Sequence, residues 1–208
     1  MMIRAFLAIE LAEGLRQELA RLQQDLKQRL ARDLSRDMRI SWVQPPAIHL
    51  TMKFLGDIDE QLVLPMQEAI GRALREHRSV QIPLEQIGVF PRAQQPRVLW
   101  VGPSEGWKQG GDERRLGSLH QSLEGCCRSF DFAPENRPMS PHLTLARIKE
   151  GERRFGEVLA KSGVMDRGVS LGTLAVESIA LMKSELKPTG SVYTRLWEVK
   201  LDASEFRS

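Results

Sequence analysis

Apolar residues recur along this chain in two rhythms. Leu11, Leu15, Leu19, Leu22, Leu26 and Leu30 come every three or four positions, the spacing of one helix face. Arg16, Glu18, Arg21, Lys27 and Arg29 fall on the other positions and predict a solvated face. A second helix is expected over 62–74, with Met66, Ala69, Ile70, Ala73 and Leu74 inward and Pro65 near the first turn, where proline is tolerated. Leu116, Leu119, Leu123 and Cys127 set out a third helix, and Phe155, Val158 and Leu159 a short fourth. The other rhythm is shorter. Stretches 3–9, 40–43, 48–55, 80–90, 96–102, 142–148, 171–183 and 191–201 predict strands. Pro83 and Gly88 interrupt the fourth of these, and a turn through Pro188 and Gly190 joins the last two. Several neighbouring strands are linked by turns rather than helices. That favours an α+β fold with antiparallel sheets over a doubly wound parallel sheet.

Composition narrows the class only a little. At 208 residues the chain is long enough to bury roughly 70% of its unfolded surface. It has no low-complexity segment or obvious linker, and 1–208 is taken as one domain. An apolar fraction of 41% with 27% charged residues is that of a soluble globular protein. The net charge of +3 suits a polyanionic partner, but no long basic tract is present. No apolar run approaches the ~18 residues of a membrane span. Glu10 interrupts the apolar start, and no small-residue cleavage site follows, so no signal peptide is expected. The two cysteines, Cys126 and Cys127, are adjacent and suit a reducing cytoplasm.

Chemistry concentrates in one stretch and its echo. His142-Leu143-Thr144-Leu145 repeats His49-Leu50-Thr51-Met52, one copy in each half of the chain. With four His and five Thr in the whole sequence, random placement gives about 0.1 His-x-Thr pairs. On a strand, residues i and i+2 share a face, so each motif presents one imidazole and one hydroxyl together. The intervening leucines and the apolar residue after each threonine turn toward a core. Two such faces across a cleft make a kit for phosphodiester chemistry. One imidazole activates a nucleophile, the other protonates the leaving oxygen, and the hydroxyls hold phosphate oxygens.

The residues around the motifs resemble the 2H phosphoesterase superfamily, and within it the LigT family of bacterial RNA 2′,3′-cyclic phosphodiesterases, once called 2′-5′ RNA ligases. The resemblance rests on Arg4-Ala5-Phe6-Leu7-Ala8-Ile9, Trp42-Val43 and His49-Leu50-Thr51-Met52-Lys53-Phe54-Leu55-Gly56. It continues through Gly88-Val89-Phe90-Pro91, Arg97-Val98-Leu99-Trp100-Val101-Gly102, Arg137-Pro138-Met139-Ser140-Pro141-His142-Leu143-Thr144-Leu145-Ala146-Arg147 and the 184–193 turn. Met139, where an aromatic residue is commoner, and Glu10-Leu11, where a proline often follows, depart from the pattern without touching the motifs. The resemblance implies two pseudo-symmetric lobes, each an antiparallel sheet backed by helices, around a central cleft. It implies metal-independent opening of an RNA 2′,3′-cyclic phosphate to a 2′-phosphate. It assigns His49 as proton donor and His142 as proton acceptor, an order the symmetric motifs themselves leave open.

Other residues carry less. Thr51 and Thr144, in register with the histidines, are expected to bind phosphate rather than serve only as β-branched strand formers. Lys53 shares the His49 face by period, and is as well explained as a solvated strand-end lysine. Arg147 falls off the ideal His142 face but belongs to the family pattern, so a phosphate role is kept open. Arg4 and Arg137 are weaker candidates. Trp42, Phe54, Phe90 and Trp100 are more often core, with Phe90 the first choice for stacking on a nucleobase. His120 reads as structural and His77 as a surface residue. The motifs offer no Cys, Asp or Glu at ligand spacing, so neither a metal nor another cofactor is expected. The expected partners are RNA ends or nucleotides bearing a 2′,3′-cyclic phosphate, with no membrane partner, and the protein is expected to be a cytoplasmic monomer. Two alternatives stay open: 2′-5′ RNA ligation at the same site, and a non-catalytic RNA-end binding module.

Overall fold

The computed structural model describes residues 1–135, 137–187 and 190–202. The Pro188 part of the expected 188–190 turn lies outside them. Two four-stranded antiparallel sheets dominate. The first contains β1 (Met2–Ile9), β3 (Leu50–Asp59), β9 (Ser178–Lys187) and β10 (Gly190–Lys200), in the order β10-β9-β1-β3. The second contains β2 (Arg39–Trp42), β5 (Gln86–Phe90), β6 (Val98–Gly102) and β7 (Leu143–Glu150), in the order β2-β7-β6-β5. A two-stranded sheet pairs β4 (Val80–Pro83) with β8 (Thr173–Val176). The two larger sheets share a plan: each motif strand, β3 or β7, lies beside a central strand, β1 or β6, and a third strand, β9 or β5, lies beyond.

Two expected long strands are each split in two. The 80–90 stretch divides after Pro83 into β4 and β5, and the 171–183 stretch divides at Glu177 into β8 and β9. Proline donates no ladder hydrogen bond, so the chain leaves one sheet there and enters another. Both motif histidines lie inside the expected spans but sit one residue before the observed strands, β3 and β7.

Among the described residues, four α-helices back the sheets. The leucine stripe of α1 (Glu13–Leu30) is buried, and each such leucine contributes about 2 kcal/mol by leaving water. α1 follows β1 of the first sheet, yet its Gln23 reaches the second sheet at Val43 and Leu145. α3 (Gly111–Arg128) follows β6 of the second sheet, yet its His120 and Glu124 reach β3 of the first. α2 (Val63–Ala73) packs on α3 and β10, and α4 (Glu152–Ser162) on α1 and β7. This exchange of helices ties the halves into one core running from Ile3 to Leu201. Among the described residues no helix is long and apolar enough to cross a membrane.

Candidate active site

The faces of the two sheets that carry the motifs line one cleft of about 470 Å³. His49, Thr51, His142, Thr144 and Arg147 all face it, with Arg4, Phe54 and Tyr193. Each imidazole is tethered the same way. His49 Nδ1 lies 2.9 Å from the Ala47 carbonyl, and His142 Nδ1 lies 2.8 Å from the Ser140 carbonyl. A carbonyl only accepts, so each neutral ring carries its proton on Nδ1 and leaves the Nε2 lone pair for the cleft.

Each ring is also met edge-on by an aromatic side chain. Tyr193 lies 5.1 Å from His49 at 89°, and Phe90 lies 4.9 Å from His142 at 82°. Phe6 adds a tilted contact to His49 at 4.7 Å. Phe6, Ala8, Ala180 and Met182 form a small apolar floor of their own on the cleft face of the first sheet, with Tyr193 packed against it. On the second sheet the floor is Trp100, stacked on Phe90 at 5.1 Å. The Trp100 ring occupies the space a side chain at Gly88 would need. A Cβ on Gly88 would fall 2.1 Å from Trp100 Cζ2. Gly88→Ala is therefore expected to cost about 1–3 kcal/mol through overpacking. It should also lower turnover, because Trp100 cannot move without moving Phe90 and His142. Denaturant melts and initial rates on the same sample check both effects.

Electrostatics favours neutral imidazoles in the free protein. Burial pulls the His49 pKa below its ordinary value, the Ala47 carbonyl partly opposes this, and the charges of Arg147 and His142 add to the fall. Burial likewise lowers His142, against the Ser140 carbonyl and with Arg147. Arg147 is thus close enough to act on both rings.

Two expectations about neighbouring residues change. Lys53 does not face the cleft. It is 5% exposed, and its Nζ donates to both Glu124 carboxylate oxygens at 2.8 and 2.9 Å and to the Ala133 carbonyl at 2.8 Å. The cause is a β-bulge. The register of β3 on β1 steps from Leu7–Lys53 to Ala8–Thr51, passing over Met52. The period of two slips by one there, so Lys53 turns to the helix layer and Phe54 to the cleft. The same device works in reverse at β7. Its register on β6 steps from Leu99–Ala146 to Trp100–Thr144, passing over Leu145, and Arg147 swings onto the His142 face. Phe90 is the second change. One face of its ring packs on Trp100, it supports His142 and it stands outside the cleft lining, whereas Phe54, 67% exposed, stands open at the cleft. Tyr193 and Phe6 were missed as neighbours of His49. Tyr193 is the one tyrosine of the chain, but nothing in its local pattern ties it to a histidine far away in sequence.

Arg4 also lines the cleft, while Arg137 lies exposed outside that lining. His120 is buried against β3, and His77 Nε2 lies 2.8 Å from Ser122 Oγ, so His77 is less free than a surface residue. Among the described residues, no three His, Cys, Asp or Glu side chains group closely enough to hold a metal ion.

Paired imidazoles and hydroxyls across a cleft between two helix-backed antiparallel sheets are the arrangement of the two-histidine phosphoesterases. A family model for LigT like phosphoesterases matches residues 9–100 and 111–193, and the chain belongs to that family. The RNA 2′,3′-cyclic phosphodiesterase of Methanothermobacter thermautotrophicus is 33% identical over 194 residues, 93% of this chain and 96% of that protein. The crystal structure of TT0787 of Thermus thermophilus is 30% identical, with a TM-score of 0.69 over 98% of this chain and 100% of that one. The fold is also that of E. coli LigT, whose crystal structure with 3′-AMP gives a TM-score of 0.71 at 24% identity over 97% of this chain and 99% of that one.

Proposed function

We propose that this chain hydrolyses RNA 2′,3′-cyclic phosphate ends to 2′-phosphomonoesters, by metal-independent catalysis between His49 and His142. The observation that carries the reading is the matched pair of imidazoles, each tethered through Nδ1 and lining one cleft beside a threonine. Homologues across most of this length act on RNA 2′,3′-cyclic phosphates by name. A water oxygen attacks phosphorus as the bond to the 3′ oxygen breaks. His142 Nε2 takes the proton from water, and protonated His49 gives one from Nε2 to the departing 3′ oxygen. In-line attack needs base and acid on opposite sides of phosphorus, which two facing motifs supply. Thr51 and Thr144 donate to the non-bridging oxygens, and Arg147 balances their charge. Phe54 offers an open aromatic face for the adjoining base.

The working unit is 1–208 as a single domain of two lobes, with every named group from one chain, which suits a monomer. Cys126 and Cys127 are both free thiols, in keeping with a reducing cytoplasm.

The test is to offer a 2′,3′-cyclic nucleotide and follow the product by phosphorus NMR. A 2′-phosphate is expected. A 3′-phosphate would reverse the choice of leaving oxygen, and a joined product from a cyclic phosphate and a 5′-hydroxyl end would favour ligation. The pH dependence follows from the lowered pKa values. Catalysis needs one ring neutral and one protonated. In the free protein both rings lose their protons below the ordinary histidine value, so kcat/KM should peak on the acid side of about 6.5. A bound phosphate anion favours imidazolium, so the alkaline limb of kcat should lie higher than that of kcat/KM. Rates in EDTA should match those without it. Loss in EDTA with recovery on adding zinc would replace this mechanism by a metal-dependent one.

A further inference from the structure

The bulge that follows each motif threonine is held from behind. A bulged residue leaves a backbone polar group outside the ladder, and a buried group of that kind needs a partner. At both bulges a helix side chain meets the carbonyl of the passed-over residue, at Leu145 as a second donor beside the Val43 N–H, which lies 2.9 Å from the same oxygen. Gln23 of α1, 2% exposed, donates from Nε2 to the Leu145 carbonyl at 2.8 Å and to the Val43 carbonyl at 2.8 Å. His120 of α3, 8% exposed, lies with Nε2 3.1 Å from the Met52 carbonyl, where only a donor fits. Leu145 and Met52 are the residues that the two registers pass over. α1 leaves the first sheet to reach the second, and α3 leaves the second to reach the first. The two contacts are therefore counterparts, made by different side chains.

We propose that Gln23 and His120 are positioning residues of the two-histidine site, each clamping the carbonyl of a bulge. The clamp holds the threonine before the bulge and the residue beyond it, Arg147 or Phe54, on the cleft face. Without it the strand is free to relax toward regular pairing. A slip of one residue would then turn Arg147 to the helix layer and bring Ala146 to the cleft. Neither clamp residue lines the cleft, so neither touches substrate. The kinetic part of this inference rests on the cyclic-phosphodiesterase reading, and its geometric part does not.

Three variants test it. Gln23→Met keeps length and removes the donor. His120→Phe removes the donor, and His120→Gln restores one of the kind the other half uses. Well below the melting temperature, Gln23→Met and His120→Phe should each lower kcat/KM on 2′,3′-cyclic AMP by about 10-fold or more, since small misplacements at reacting groups are costly. His120→Gln should recover most of the rate. The pH profile separates the two clamps. Among the described residues, the charged and titratable groups facing the cleft are Arg4 from β1, Arg147 from β7, Tyr193 from β10 and the two histidines. Arg147 lowers both histidines, so its release in Gln23→Met should raise the acid limb of kcat/KM, while His120→Phe should leave that limb in place. NMR titration of the ring protons of His49 and His142 should show the same rise in Gln23→Met. That arm needs no turnover, so an inert wild type with shifted rings would refute the substrate reading and support the clamp. Should Gln23→Met fail to fold, Gln23→Asn, one methylene too short to reach, carries the same expectations. Variants that melt lower but keep the wild-type kcat, KM and histidine titrations would overturn the proposal.

Discussion

His142→Ala is expected to lower kcat/KM for a 2′,3′-cyclic nucleotide by about 10²–10⁴, the usual worth of a placed general base. His49→Ala should lose a similar factor on the acid side. The double variant should be little worse than either single one, because groups that act on one transition state do not contribute additively. KM should move much less than kcat. Thr51, Thr144 and Arg147 still line the cleft in both variants, and they are the groups assigned to the phosphate. Each ring is half-buried and, among the described residues, bonded through Nδ1 to a local carbonyl, so thermal melts should shift little. Full activity in either variant would sink the acid–base assignment.

Lys53→Met is expected to act on stability and to spare catalysis. Lys53 is 5% exposed, and its ammonium is held by three acceptors from Glu124 and Ala133. Removing it strands the Glu124 carboxylate, which keeps a backbone donor from Glu135 at 3.1 Å. Breaking a buried pair from one side costs about 3–5 kcal/mol. The lower end applies here because the Glu124 side chain retains 12% exposure. For a chain of this size that is a fall in Tm of roughly 6–12 °C. Lys53→Met combined with Glu124→Leu should regain most of it, since no buried charge is then left alone. Burial pushes the Glu124 carboxyl up, but the Lys53 and Glu135 hydrogen bonds and the Lys53 charge outweigh it, so the net shift is downward. The contribution is therefore present above the ordinary carboxylate range and is lost as pH falls through the lowered folded value. Thermal melts with Michaelis kinetics at low temperature decide the matter. A stable Lys53→Met variant with a greatly raised KM would return Lys53 to the phosphate.

How much of the site was legible depended on the distance over which each cause acts. His49 with Thr51 and His142 with Thr144 were legible because an i, i+2 relation needs no more than local backbone direction. The amphipathic stripe of α1 was legible for the same reason. Lys53, Arg147 and Phe54 were not. Their orientation depends on a one-residue mismatch with a partner strand, and period counting along one strand cannot detect what its neighbour omits. Tyr193 beside His49 and Gln23 behind Leu145 depend on pairings that join distant parts of the chain.

The sequence by itself determined the α+β class, the paired motifs and the family of phosphoesterases they belong to. These follow from local periodicity and from a repeat too rare to arise by chance. Tertiary structure decided which side chains accompany the motifs into the cleft. Two bulges, pinned by helices crossed over from the opposite sheets, bring in Arg147 and Phe54 and turn Lys53 away. The physical reason is that side-chain direction in a sheet is set by register between strands, and register is a property of the assembled core.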